Sequence, residues 1–395
     1  MKSFVNITEQ IDDLPLAAEE LLAGASPESL QKNTVGILYC YSDMETSELA
    51  SVLSQKAGFP ILGCTAIATM EQKDGFHEMA ATLLILTSDD CAFSLAVSDP
   101  IKPQNAAEQI EKVCGSVSQE LGEDLKFLFA LPPYILGIML DEYALGFNRC
   151  CPDIPVLGGL PSYNATGDRN LTIFGGETYA DRLVLLAVSG NIRPVFSVNN
   201  VTSVDADRKR KVTKSKGNIV YRVGEQTFTD YLREVGLPVD NLTEGNATIT
   251  FVSNPLLLEN TQDGFSFVRT LHEINLEEGT GTAIGQIPEG AVVSVCLLER
   301  GEIEQSAKAG MKSLKEKMSA AQNDGYQYST VLAVSCIGRH LLMLPNNDAE
   351  VNSLLSEFPD GLALSGFYSY GELGPQGATQ TKNFAHNESL IFCAI

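Results

Sequence analysis

The sequence predicts an α+β fold of two related halves, with mixed, mainly antiparallel sheets flanked by helices. Three observations carry this expectation. Short aliphatic runs such as Val35 to Tyr41 and Phe127 to Leu131 alternate with longer stretches whose apolar residues recur three and four positions apart. A short apolar strand ending in glycine recurs along the chain, each copy followed some 15–25 positions later by a long apolar strand. Finally, 395 residues of which 44% are apolar and 19% charged can bury a large core without metal or disulfide staples.

The elements follow in order. Val35 to Tyr41 reads as a strand, Glu45 to Lys56 as a helix, and Pro60 to Cys64 as a short strand running into a turn. Met79 to Thr87 and Cys91 to Val97 read as a hairpin around Ser88-Asp89-Asp90. Ala106 to Leu121 carries Ile110, Val113, Val117 and Leu121 on one helical face, and Phe127 to Leu131 is a strand stopped by Pro132-Pro133. A helix over Ile135 to Phe147 precedes strands at Pro155 to Gly159, Leu171 to Phe174, Arg182 to Ser189 and Val195 to Val198; Gly175-Gly176 is a hairpin turn. The basic run Arg208 to Lys216 is the one marked shift in composition and reads as a solvated linker or hairpin. Beyond it come a helix over Gln226 to Val235, strands at Ala247 to Val252 and Ala291 to Glu299, and a helix over Ile303 to Met318. The strand Val331 to Ile337, the helix Asp348 to Phe358, and the strands Leu362 to Phe367 and Glu388 to Ile395 close the chain.

The repeat has three clear copies and a looser fourth. Pro60 to Cys64 leads to Met79 to Thr87, Pro155 to Gly159 to Asp181 to Gly190, and Ala363 to Phe367 to Glu388 to Ile395; Ala283-Ile284-Gly285 leads to Ala291 to Glu299. Glycine at each strand end implies positive φ or a close backbone approach that a Cβ would block. These features divide the chain into an N-terminal extension with a first helix (1–30), a first half (31–200), a basic linker or hairpin (201–222) and a second half (223–395).

Charge narrows the partners. Fifty acidic against 27 basic residues give a net charge of −23, which repels nucleic acid and anionic membrane surfaces. The N-terminus lacks the basic and apolar segments of a secretory signal, and apolar runs such as Leu183 to Val188 fall far short of the roughly 20 residues that span a bilayer. Nine cysteines without C-x-x-C spacing fit reduced thiols in a cytoplasm, and the adjacent pair Cys150-Cys151 reads as two small apolar residues.

Several segments carry a family resemblance. The stretch Gly366-Phe367-Tyr368-Ser369-Tyr370-Gly371-Glu372-Leu373-Gly374-Pro375, followed by Asn383-Phe384-Ala385-His386-Asn387, resembles the signature of FIST domains. Ser335-Cys336-Ile337-Gly338-Arg339 looks like that family's Cys-x-x-Arg strand end, Gly63-Cys64-Thr65-Ala66 its Gly-Cys-Ser/Thr turn, and Gly158-Gly159 with Gly167-Asp168 its second glycine turn. The resemblance implies a FIST N-like domain over 31–200 and a FIST C-like domain over 223–395. Two departures are the turn Ala66-Ile67-Ala68, without the usual glycine and acidic residue, and His340 where a small residue is more usual. The resemblance also implies a stand-alone cytoplasmic sensory protein that binds a small molecule and works with a signalling partner such as a histidine kinase. Amino-acid-like ligands, or haem for nitric oxide sensing, come with the family.

Candidate residues follow from this pattern. Arg339 can clamp a carboxylate with its planar fork or form an internal ion pair, with Glu372 as one partner; Glu372 can hold an ammonium. Tyr368, Gly371, Gly338, Cys336, Asn387, His386, Gly63, Cys64, Thr65, Gly158 and Gly159 complete the expected ligand site. For haem, His340 ahead of Leu341-Leu342-Met343-Leu344 is the candidate axial ligand. Cys64 and Cys336 are candidate nucleophiles of a thiol enzyme, with no histidine tied to either by spacing. The sequence has no paired His or Cys spacing for zinc and no phosphate-binding glycine loop.

Overall fold

A computed structural model of the chain describes every residue except 11, 42–44, 164–169, 205, 260–263, 322–324 and 377–380. The expected Gly167-Asp168 turn lies outside the described residues. The fold is α+β, and the repeated strands explain it. Asn33–Tyr41 pairs in parallel with Ile61–Ala66 on one side and antiparallel with Ala81–Ser88 on the other; Lys2–Thr8 adds beyond Ala81–Ser88. Cys91–Val97, Leu125–Leu131, Val156–Gly159 and Val184–Gly190 repeat that pattern, and so do Val195–Asn200, Thr330–Cys336, Ala363–Ser369 and Ser389–Ala394. The three clear sequence copies are therefore three structural units.

A parallel pair needs a crossover, and helices supply it. Thr46–Ala57 crosses in the first unit, Leu140–Cys150 in the second, and Ile337–Met343 with Ala349–Leu355 in the third. Side chains alternate between the two faces of each strand. Ile37 and Tyr39, Phe127 and Phe129, and Leu332 and Val334 point into one shared core between the sheets. Their neighbours Leu38, Leu128 and Ala333 point outward into three separate helix-covered layers. Burial on both faces is why these strands read as continuous apolar runs.

Each sheet gains a third pair of antiparallel strands from a different unit. The hairpin Thr69–Glu71 and Gly75–His77 follows the first unit but pairs with Ala363–Ser369 of the third. Thr172–Phe174 and Glu177–Tyr179, turning at Gly175-Gly176, follow the second unit and pair with Ile61–Ala66 of the first. Glu372–Gln376 and Lys382–His386 follow the third unit and pair with Val156–Gly159 of the second. Each unit thus donates one hairpin and receives another, which gives three six-stranded sheets among the described residues.

The recurrent glycines serve this architecture. Gly63, Gly158 and Gly366 sit at matching places on the second strand of each parallel pair, opposite Leu38, Ala130 and Ala333. A Cβ at any of them would overlap the carbonyl oxygen of that opposing residue. None of the three has positive φ, so close approach alone excludes a side chain.

The third unit is interrupted. After Val195–Asn200 the chain leaves for an inserted module and returns with the helix Arg300–Ala321. The insert holds the remaining sheet, running Phe267–Arg269, Leu256–Glu259, Val292–Val295, Arg210–Lys216, Ile219–Val223, Thr280–Ala283, Leu271–Asn275. Its own core includes Val212, Phe228, Tyr231, Leu256 and Val293. The basic run forms the hairpin strand Arg210–Lys216 of this module, with Arg210 2.6 Å from Glu234. The loose fourth repeat at Ala283-Ile284-Gly285 belongs to the insert and not to the three units.

Three local expectations are corrected. Ala81–Ser88 and Cys91–Val97 are consecutive but not paired: the first already has a strand on each edge, and the second joins Val184–Gly190 in another sheet. Ala247 to Val252 is helical, within Glu244–Ser253, because Thr243 and Asn246 cap its start reciprocally and Phe251 and Val252 are buried. The β-branched residues there follow this tertiary context and not their strand propensity. The helix expected over Ile135 to Phe147 begins only at Leu140, where Glu142 closes back on the Met139 backbone.

Close packing at Gly158 contrasts with Gly115, an exposed helical position where a Cβ would meet nothing within 4 Å. Gly158→Ala is expected to lose about 1–3 kcal/mol or more of stability in urea unfolding. Gly115→Ala is expected to gain up to about 1 kcal/mol. Equal effects at the two positions would contradict the close-approach account.

Candidate ligand-binding site

Most of the residues picked out in the C-terminal half converge where Thr330–Cys336 and Ala363–Ser369 end and Ser389–Ala394 begins. Cys336 caps the helix Ile337–Met343, and a Cβ on Gly338 would occupy the place of the Glu388 carboxylate. Glu388 is fully buried at φ 51°, a left-handed conformation uncommon outside glycine. Its Oε1 accepts from the Thr270 hydroxyl at 2.9 Å. Glu372 is equally buried, and its Oε2 accepts from Ser389 Oγ at 2.7 Å and Ser389 N at 3.3 Å. Among the described residues, Oε1 of Glu372 and Oε2 of Glu388 have no protein hydrogen-bond partner.

Burial controls the protonation of this cluster. It drives the Glu372 carboxyl well above the carboxylate range, with the Glu388 charge adding to the effect. It raises Glu388 to about 7, although Thr270 and the Arg339 guanidinium pull the other way. The same burial, with both glutamates nearby, pushes the Cys336 thiol up, which disfavours the thiolate that a nucleophile requires. Cys64 is pushed up by burial as well.

Arg339 is committed to the protein. Its Nε donates to Glu350 Oε1 at 2.6 Å, its Nη2 to Ser306 Oγ at 2.8 Å and to Ile303 O, and its Nη1 to Glu388 O. The ion-pair partner is thus Glu350 and not Glu372. Glu350 also accepts from Ser335 Oγ and from the Tyr368 hydroxyl, each at 2.9 Å, which closes a wholly buried network. His340 packs between Phe76 and Tyr368, with ring centroids 5.5 and 5.3 Å away, and burial lowers its pKa.

The other expected residues have structural partners. His386 Nε2 donates to Gly374 O at 3.1 Å, and burial lowers the ring to about 4, so it is neutral. Asn387 joins His386 O to Thr270 N. Gly371 and Gly159 meet at Ser369, whose hydroxyl donates to Gly371 O at 2.7 Å and would be overlapped by a Cβ on Gly159. Gly158 and Gly159 pair with Leu373 and Glu372, which brings the second glycine turn beside the cluster. Gly63, Cys64 and Thr65 lie in the first unit, where Thr65 bonds reciprocally with Leu171.

Beside this buried cluster opens a cleft of about 570 Å³. One wall is the insert, with Leu258, Phe267, Arg269 and Gln286; the other is the helix Leu140–Cys150 and the strand Lys382–His386, with Asp141, Asn148, Lys382 and Phe384. Arg269 Nη2 lies 3.0 Å from Asp141 Oδ1, and both side chains are largely buried. Its Nη1 donates to Val268 O and Ala385 O at 3.1 Å, so one guanidinium joins insert, hairpin and second unit. Gly285, at φ 113°, covers this pair where a Cβ would crowd both side chains. Arg269 faces the cleft while the next residue, Thr270, holds Glu388, so a single strand end connects cleft and cluster.

Sequence reading missed Arg269, Asp141, Glu388 and Glu350. The one available signal was an arginine inside the apolar strand Phe267-Val268-Arg269, since charged residues seldom enter such runs unpaired. Among the described residues, no group of three or more His, Cys, Asp or Glu side chains is arranged to hold a metal ion, and no helix is long and apolar enough to cross a membrane.

A concave site of this volume, lined about equally by polar and apolar groups, is within the size range of small-molecule sites. The family model of the FIST N domain matches residues 34–226, and that of the FIST C domain matches 227–375. The chain belongs to the FIST family, whose domains are small-ligand sensory domains of signal transduction. No curated protein sequence matches it significantly. A chorismatase crystal structure aligns with TM-score 0.38 and 6% identity over 100% of this chain and 98% of that one, a likeness too distant to carry an argument.

The acid pair has a testable consequence. Glu388 is neutral in the folded state at pH values where the unfolded chain would already ionise it. Its contribution to stability is therefore complete below the ordinary carboxylate range and is lost as pH rises through about 7. Glu388→Gln, which stays neutral, is expected to flatten the dependence of unfolding free energy on pH between 5 and 8, by on the order of 3 kcal/mol. Parallel curves for variant and parent, from urea melts across that range, would contradict it.

Proposed function

We propose that this protein senses a small zwitterion, an amino-acid-like metabolite, in the cleft between the inserted module and the three-unit core. The observation that carries the reading is the buried Arg269–Asp141 pair in the cleft wall. A guanidinium recognises a carboxylate by a charge-assisted fork, and an aspartate recognises an ammonium. Arg269 already donates to Gln286 O, Val268 O, Ala385 O and Asp141, and Asp141 Oδ2 accepts from Gln286 N, so a zwitterion binds here by exchanging its carboxylate and ammonium for the two halves of this ion pair. Lys382 and Glu289 repeat this mixed charge along the cleft, while Leu258, Phe267 and Phe384 suit a side chain of some apolar area. The cleft is within the size range of small-ligand sites. Arg339 and Glu372 act behind it, the first as a structural cation and the second as a buried neutral acid.

The sensory role of FIST domains supports an output through a separate signalling protein, such as a histidine kinase. Ligand bound against Arg269 would press on the strand end that holds Glu388, which gives the signal a route into the third unit.

Isothermal titration calorimetry of folded, dialysed protein against a panel of amino acids is expected to show binding by one or a chemically related few. The matching amine without its carboxylate is expected to bind at least ten-fold more weakly, the loss of one charge-assisted contact of about 1.5–3 kcal/mol. Arg269→Gln is expected to weaken the amino acid similarly and the amine little. Absence of heat across the panel, or equal binding of amine and amino acid, would overturn the reading.

A further inference from the structure

Three cysteines that are scattered in sequence meet in the helical layer of the second unit. Cys114 lies on the helix Ala106–Leu121; Cys150 ends the helix Leu140–Cys150, and Cys151 follows it. The two helices pack closely because Gly146 has no side chain: a Cβ there would lie 2.8 Å from Ile110 Cδ1. One turn further along both helices, the same approach that joins Ile110 to Gly146 brings Cys114 to Cys150 and Cys151. Ser118, the next turn on, places its hydroxyl 3.9 Å from Cys151 Sγ. Cys114 and Cys151 share one buried cluster, with Cys150 packed against it and partly exposed. All three are free thiols.

We propose that these residues form an oxidation site at which a hydroperoxide converts Cys151 and Cys114 into a disulfide. The neighbouring Cys114 and the Ser118 hydroxyl hold the Cys151 thiol below the ordinary range, while Cys114 itself is driven up. Of the two sulfurs it is Cys151 that has the Ser118 hydroxyl beside it, at 3.9 Å, where it can donate to a thiolate, so Cys151 is assigned as the attacking sulfur and Cys114 as the resolving one. The Cys151 thiolate attacks one peroxide oxygen and the O–O bond breaks, leaving sulfenic acid on Cys151 and, after protonation, an alcohol or water. Cys114 then loses its proton as its sulfur attacks Cys151; the S–S bond forms, the S–O bond breaks, and the hydroxide leaves as water with that proton. Two thiols and one hydroperoxide thus give one disulfide, one alcohol or water from the peroxide, and one further water. Among the other buried cysteines, Cys40, Cys64, Cys296, Cys336 and Cys393 have thiols pushed up by burial. The disulfide would tie down the end of a helix whose Asp141, Ala144 and Asn148 line the cleft.

The test is peptide mapping of folded protein, treated with stoichiometric hydrogen peroxide and digested without reductant. A crosslink between the Cys114 peptide and the Cys150-Cys151 peptide is expected, retained in Cys150→Ser and lost in Cys151→Ser. In Cys114→Ser, dimedone is expected to label Cys151, since no resolving thiol remains. No crosslink in the parent protein, or one that persists in Cys151→Ser and disappears in Cys150→Ser, would overturn the proposal. Because the parent and Cys150→Ser already decide between these outcomes, the result does not depend on every variant folding.

Discussion

Three sheet edges, each closed by a hairpin from another unit, hold the molecule together. An exposed strand edge is an unpaired row of hydrogen-bonding groups, and each unit would carry one on its parallel side. The hairpins of Thr69–Glu71 with Gly75–His77, Thr172–Phe174 with Glu177–Tyr179, and Glu372–Gln376 with Lys382–His386 cover those edges in a cycle, so no unit is complete without the next. The inward faces of all three sheets then share one core, with Tyr39 stacked on Phe367 at 4.8 Å across units. The glycines at Gly63, Gly158 and Gly366 keep the parallel pairs that present those edges close. The fold, its repeat and its glycine pattern are consequences of one arrangement.

The same exchange sets the location of the site. The hairpin donated by the third unit lies on Gly158-Gly159 of the second and beneath the inserted module. Its two strands carry Glu372 toward the buried cluster and Lys382 to Ala385 along the cleft. Two chemical environments result, separated by one strand. In the cluster, burial keeps carboxyls neutral; in the cleft, Arg269 and Asp141 balance each other's charge. The overall charge of −23 is therefore a property of the surface and says little about the cleft, where cation and anion face each other.

Much of the scaffold was legible in the sequence because it is written locally. Helical spacing marked Ala106 to Leu121, and a glycine-ended strand followed by a long apolar one marked each unit. The hairpin donations were not legible, since Thr69–Glu71 is only three residues long and its partner Ala363–Ser369 lies almost 300 positions away. The FIST-like segment Gly366 to Pro375 is, in space, the passage from the third unit into its donated hairpin. Arg339 and Glu372 were recognised as unusual charges, but their roles depend on Glu350, Glu388 and Ser389, which only tertiary structure brings beside them. Glu388 reads in sequence only as the first residue of the strand Glu388 to Ile395; its carboxylate is buried between Gly338 of the third unit and Thr270 of the insert.

We propose that ligand binds between the insert and the core and acts through the strand end at Arg269-Thr270. Hydrogen–deuterium exchange, with and without a ligand identified by calorimetry, tests it most directly. The account predicts slower exchange in Phe267–Arg269, Lys382–His386 and the first turns of Leu140–Cys150, extending to Ser389–Ala394 through Glu388. Protection confined to the first unit around Gly63, Cys64 and Thr65, with the insert boundary unchanged, would contradict it.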